Sequence, residues 1–231
     1  MDWIFPRRCP ICEHIILPDQ TRYCCPDCLK KLSYITEPSC MKCGQPIDCE
    51  GSEYCYDCER HKHEYIRGRG VWIYNHALKE SIYRFKYANK REYAAFYAQQ
   101  MYEQLGEWIQ SLGVDAIIPI PLHSKKKRQR GYNQSELIAK ALSARIKIPV
   151  NTRLLIRDKN TGPQKERNDI ERKINLKNAF KIRTNELQLK KILLLDDIYT
   201  TGSTIDAAAK VLKESGALEI YFISVSIGRG Y

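Results

Sequence analysis

All ten cysteines of this chain lie before residue 59, and eight of them form four Cys-x-x-Cys pairs: Cys9/Cys12, Cys25/Cys28, Cys40/Cys43 and Cys55/Cys58. Two intervening residues let both sulfurs of a pair reach one tetrahedral metal ion at about 2.3 Å. Twelve residues separate the first pair from the second and eleven the third from the fourth. One unit therefore occurs twice, and the spacing predicts two zinc ribbons in tandem over residues 1–65. Four thiolates close each site to water and substrate, so the metal's role is structural. A segment this short, with few large aliphatic residues, can hardly fold by burial alone, whereas a structural zinc contributes about 10–16 kcal/mol of apparent binding free energy. Disulfides and an iron–sulfur cluster are the alternatives for the same thiols. Cys24 and Cys49 fall outside the pattern, since only Cys25 keeps the two-residue gap to Cys28. His61 and His63 follow the last pair and, with both sites full, read as solvent-exposed linker residues.

Charge divides the chain at the same place. Residues 1–65 hold eight Lys/Arg against eleven Asp/Glu, while the remaining 166 hold 30 against 16. Composition thus predicts an acidic ribbon domain over 1–65 and a basic, anion-binding domain over 66–231. Pyrophosphate and nucleic acid are both candidate anions, and plain solubility charge is the bland alternative. No apolar run approaches the roughly 20 residues that span a bilayer, and Met1 to Cys9 lacks the apolar stretch of a signal peptide. The expectation is a cytoplasmic, reducing location without membrane insertion.

Beyond residue 65 the pattern alternates strands with helices and predicts an α/β fold with a parallel sheet. Gly68-Arg69-Gly70 punctuates the join, and Val71 to Tyr74 reads as a short strand. Leu78, Ile82 and Phe85 share one face of a helix, and Tyr93, Phe96, Tyr97, Met101, Leu105, Trp108 and Leu112 recur at helical spacing as a core stripe. Val114 to Pro121 is a second strand. Leu154 to Ile156 is a third, Ile170 to Leu176 a short helix, Asn178 to Arg183 another strand, and Leu218 to Ile227 closes the sheet.

Ser124 to Gln134 carries Lys125, Lys126, Lys127, Arg128 and Arg130 within six residues and reads as a mobile basic loop. Lys165 lies in a second basic loop, 157–165. Such loops can close over pyrophosphate, with cations screening the leaving group. They can equally track a nucleic-acid backbone, with Tyr132 stacking on a base. A solvated charged loop is the third reading.

The most chemical stretch is Ile192 to Thr204. Ile192-Leu193-Leu194-Leu195 reads as a strand buried on both faces. Asp196 and Asp197 follow where open α/β sheets place their ligands. Thr200, Thr201, Gly202, Ser203 and Thr204 then form a hydroxyl-rich turn before a helix from Ile205 to Glu214, closed by Gly216. The turn's N–H groups, its hydroxyls and the positive helix end can hold a phosphate. The aspartates can accept hydrogen bonds from sugar hydroxyls or hold a hydrated magnesium ion. These thirteen residues closely resemble the phosphoribosyl pyrophosphate motif of type I phosphoribosyltransferases. The resemblance implies that Asp196 and Asp197 contact the ribose and that residues 200–204 wrap the 5-phosphate, with magnesium accompanying the pyrophosphate. Where several purine-using members carry an acidic base, this chain has Thr200.

The whole chain resembles the ComF family of late-competence proteins. The paired ribbons, Arg84-Phe85-Lys86-Tyr87, Pro119 to His123, Arg130-Gly131-Tyr132-Asn133-Gln134, Pro163-Gln164-Lys165 and Leu194 to Thr204 carry that likeness. It implies a phosphoribosyltransferase-like domain working in uptake of transforming DNA, with single-stranded DNA and a companion helicase as partners. Two functions stay open: a phosphoribosyltransferase with an unknown acceptor, and a non-catalytic module that binds the sugar phosphate and DNA.

Overall fold

The computed structural model describes residues 6–17, 22–48, 51–158, 179–183 and 188–228. In chain order the elements are α1 (Pro26–Leu29), α2 (Tyr56–Arg60), β1 (Arg67–Ile73), α3 (His76–Tyr87), α4 (Tyr93–Ser111), β2 (Ala116–Pro119), α5 (Ser124–Arg130), α6 (Gln134–Ile146), β3 (Leu155–Arg157), β4 (Phe180–Ile182), β5 (Lys191–Tyr199), α7 (Ser203–Glu214) and β6 (Glu219–Ile227). Four of the strands pair in parallel in the order β1-β6-β5-β2. The continuous apolar run Ile192 to Leu195 belongs to an inner strand because both of its faces are covered.

Alternation along the strands sorts the core into two layers. Leu193, Leu195, Ile117, Ile223 and Val225 face a layer built from α3, α4 and α6. Ile192, Leu194, Ile118, Ile220 and Phe222 face the opposite layer with α7. The aromatic stripe of α4 packs as core, as its spacing predicts: Phe96 and Tyr97 pack against Trp72 of β1. Asn75 starts α3 by accepting a hydrogen bond from the Leu78 N–H at 3.0 Å.

The two ribbons sit on opposite sides of this sheet. Cys9, Cys24 and Cys28 belong to the α3/α4/α6 layer, and Cys40, Cys43 and Cys55 to the α7 layer. The chain between them runs along the β1 edge. The Ile35 N–H donates to the Val71 carbonyl at 3.0 Å and the Ile73 N–H to the Ser33 carbonyl at 2.9 Å, which covers backbone that an edge strand would leave exposed. Hydrogen bonds therefore cross the compositional boundary at residue 65.

Several expectations change on folding. Gly68 and Gly70 lie inside β1 rather than ahead of it, because a Cβ at Gly68 would fall 1.9 Å from the Phe222 ring. β5 runs on through Asp196 and Asp197 to Tyr199, since Asp196 and Ile198 keep their register with Ser224 and Ser226 of β6. β6 lies inside the sheet and does not close it. β3 and β4 pair antiparallel as a separate ribbon. The basic segment is not a loop: residues 124–130 form a helix, capped by the His123 ring and by Gly131 in the left-handed conformation. The helix expected at 170–176 and Lys165 lie outside the described residues.

Candidate functional site

The cysteine pairs assemble as their spacing predicts. Cys9, Cys12, Cys25 and Cys28 form one cluster and Cys40, Cys43, Cys55 and Cys58 the other, each with its sulfurs within 4.8 Å of one another. A zinc tetrahedron with about 2.3 Å bonds has sulfur edges of roughly 3.8 Å, so both donor sets fit zinc. Among the described residues every cysteine is free of disulfide bonding. Cys24 is buried with its sulfur 3.6 Å from Cys9 but lies outside the cluster, which leaves Cys25 as the ligand. Burial, together with a neighbouring sulfur, pushes the Cys28 thiol up to about 12. A divalent cation relieves such crowding by holding all four sulfurs as thiolates.

Asp196 and Asp197 stand at the carboxyl end of β5, in the middle of the sheet. Asp196 accepts hydrogen bonds from the Ser135 hydroxyl at 3.1 Å and the Asp197 N–H at 2.9 Å. Burial, and then the charge of Asp197, pushes its carboxyl up to about 7. Asp197 is paired with Lys86 of α3, Nζ to Oδ2 2.9 Å. The acidic pair therefore carries less net charge than two bare carboxylates would, which suits the hydroxyls of a sugar.

Cations gather near that pair. Burial pushes the Lys126 amine down, and the charges of Arg157, Arg130 and Lys86 push it the same way. The Asp196 carboxylate opposes the effect of burial on the Arg157 guanidinium. Lys126 and Arg130, four residues apart, share one helical face of α5. Lys125 and Arg128 are exposed, and Lys127 is held by Glu136 at 3.2 Å. The five-cation run thus splits between a half-buried face, with Arg130 over the Tyr87 ring, and solvent.

Beyond the acidic pair the chain turns through Thr200 and Thr201 to Gly202, at φ +75°, and into α7. The Thr201 and Ser203 hydroxyls are 2.8 Å apart. Gly202 has no room for a side chain. A Cβ would lie 2.7 Å from the Tyr199 hydroxyl and 3.1 Å from Cε1 of His63.

His63 overturns its reading as exposed linker, being only 7% exposed. Its Nδ1 lies 2.7 Å from Asp206 Oδ2 in the first turn of α7, and because a carboxylate only accepts, Nδ1 carries the proton. The Glu64 N–H donates to Asp206 Oδ1 at 2.9 Å. The Tyr65 and Tyr199 hydroxyls meet at 2.7 Å.

Tyr132 does not fit the role of base platform. It is buried, its hydroxyl donates to the Phe85 carbonyl and Arg91 covers its ring. The segment around it is a joint: Gly131 ends α5, Asn133 donates to the Ile120 carbonyl at 2.9 Å, and Ser135 reaches Asp196. Sequence reasoning gave no role to Lys86, Ser135, His63, Tyr65, Tyr199 or Asp206. Of these, Lys86 had a signal, as the cation of Arg84-Phe85-Lys86-Tyr87.

Comparisons with known proteins agree with this geometry. The model of the double zinc ribbon domain matches residues 1–59, and that of the phosphoribosyl transferase domain matches residues 133–227. Competence protein F of Haemophilus influenzae is 30% identical over 85% of this chain and 86% of its own length. Competence protein ComFC of Bacillus subtilis is 30% identical over 87% of this chain and 82% of its own. The DNA utilization protein YhgH of Escherichia coli is 27% identical over 78% and 80%. A double zinc ribbon built on two four-thiol clusters and a parallel phosphoribosyltransferase-type sheet occur here in one chain, and the chain belongs to the ComF family.

Proposed function

We propose that this protein binds phosphoribosyl pyrophosphate with magnesium and handles single-stranded DNA in natural transformation. The observation that carries the sugar-phosphate reading is the succession at the end of β5. The acidic pair, Gly202 in the left-handed conformation and the start of α7 follow one another, with Lys86 on Asp197 and the Lys126, Arg130 and Arg157 cations close by. Asp196 and Asp197 accept from the ribose hydroxyls, residues 200–204 enclose the 5-phosphate, and the α5 cations with Lys86 face the pyrophosphate. Relatives named for competence and DNA utilization support the DNA role, for which Lys125 and Arg128 on the exposed side of α5 are the candidate phosphate contacts.

Calorimetry with phosphoribosyl pyrophosphate and magnesium tests the site. The wild type should bind and the Asp196→Asn/Asp197→Asn chain should not; equal affinity refutes the assignment. Changing Lys125 and Arg128 to Gln should flatten the salt dependence of single-strand binding, and an unchanged slope removes α5 from the DNA surface. The second reading, transfer of phosphoribose to an acceptor, is favoured by the same complete succession of site elements. Release of pyrophosphate in the presence of an acceptor would establish it. No helix among the described residues is long and apolar enough to cross a membrane.

A further inference from the structure

The second ribbon reaches the phosphate loop through three consecutive residues. His63, the Glu64 N–H and Tyr65 hold Asp206, Asp206 again and Tyr199, at 2.7, 2.9 and 2.7 Å. All three follow the last ligand of the second cluster, Cys58, by only a few residues. Asp206 and Tyr199 bracket the turn 200–204, one in the first turn of α7 and the other at the end of β5. We propose that His63 is a positioning residue for the phosphate loop and that residues 63–65 form a clasp through which the second ribbon sets the loop's affinity for a phosphate. The inference rests on the sugar-phosphate reading above and adds a regulating element to it.

Two effects follow from the geometry. The first is shape. The imidazole stacks on Tyr65, centroids 4.9 Å apart and 22° from parallel, and the Tyr199 hydroxyl and the His63 ring crowd the place of a Gly202 Cβ, at 2.7 and 3.1 Å from it. The turn is thereby backed by side chains that are themselves fixed: Tyr65 and Tyr199 are both buried, and both pack on Phe222. The second effect is charge. A carboxylate in the first turn of α7 competes with a bound phosphate for the helix's positive end. His63 and the Glu64 N–H each take one oxygen of Asp206 and so draw its charge toward the ribbon. His63 Nε2 is buried without a hydrogen-bonding partner among the described residues, so the ring's one hydrogen bond is the one to Asp206. The cost of burying that ring is offset only through the clasp.

The test uses the full chain carrying both zinc ions, as wild type, His63→Ala, His63→Gln and His63→Asn. An Asn amide can donate from the place of Nδ1, whereas Gln places its donor near Nε2. The first readout needs no ligand: hydrogen exchange of the segment 199–207 should speed up in His63→Ala and His63→Gln and return toward wild type in His63→Asn. Exchange unchanged in His63→Ala, or equally fast in all three variants, overturns the clasp. The second readout is calorimetry with phosphoribosyl pyrophosphate and magnesium. Affinity should fall about tenfold in His63→Ala, recover in His63→Asn, and recover also in His63→Ala/Asp206→Asn, where the freed carboxylate is gone. Affinity equal to wild type in His63→Ala overturns the proposal. A wild type that takes no phosphoribosyl pyrophosphate while the exchange pattern holds refutes the proposed ligand and leaves the clasp standing.

Discussion

The two zinc ribbons repeat one sequence unit, yet they are joined to the sheet by different physics. The first packs Cys9, Ile16, Cys28 and Leu32 into the helical layer and is tied to α3 and the turn after it by half-buried polar contacts. Arg84 Nη2 donates to the Pro10 and Ile11 carbonyls at 3.0 and 2.8 Å, and Glu13 takes Lys90 at 2.9 Å. Lys90, helped by Arg84 and Arg8 and against the opposing effect of burial, holds the Glu13 carboxyl below its usual range. The second is tied by buried hydroxyls and an imidazole to β5 and α7. The Lys90–Glu13 pair, with its carboxylate 40% exposed, weakens with salt, whereas the hydrogen bonds to Arg84 and those of the second ribbon are expensive to leave half-made. The first ribbon is therefore a support for the helical layer that carries Lys86, and the second backs the turn between β5 and α7.

The largest expected effect comes from the thiols. Cys9→Ser and Cys43→Ser should each lower zinc content from two ions to one, with a structural zinc contributing about 10–16 kcal/mol of apparent binding free energy. Hydrogen exchange should then differ between them: residues 76–91 lose protection in the first and 199–207 in the second. The same pattern in both variants would break the comparison. Gly202→Val should destabilise by about 1–3 kcal/mol in denaturant melts and abolish sugar-phosphate binding, since it adds backbone strain at φ +75° to a contact with Tyr199 and His63. Arg84→Ala should cost about 1–3 kcal/mol through the orphaned Pro10 and Ile11 carbonyls, with no effect on the 199–207 segment.

Asp196→Asn sharpens the pocket side of the comparison through pH. Burial, and then the Asp197 charge, pushes the folded-state carboxyl up to about 7 from an ordinary 3.8, so its contribution to stability is present in acid and is lost as pH rises through that window. The variant's melting temperature should exceed that of the wild type by a margin that grows from pH 4 to pH 8, reaching a few degrees. A margin independent of pH would contradict the burial argument. The smallest effect belongs to Asp27→Asn in the first ribbon, whose partner Lys30 lies across an exposed pair at 3.1 Å. Its denaturation midpoint should not move measurably.

The sequence by itself determined the metal clusters, the parallel sheet and the acidic-pair-to-helix succession. Each rests on local spacing: two residues between thiols, four apolar residues in a row, a glycine where φ is positive. It determined nothing of how these parts face one another. His63 read as exposed because polarity and position in a linker are all that a single residue shows, and its partner Asp206 is 143 residues away. Tyr132 read as a base platform because an aromatic residue among cations shows its composition and not its burial. The acidic pair read as lying after its strand because β5 is lengthened by register with β6, a pairing no local pattern contains. Lys86 reaches Asp197 only because the α3 layer covers the end of β5. What tertiary structure decided was which distant side chains meet, since burial and hydrogen bonding are properties of the packed chain.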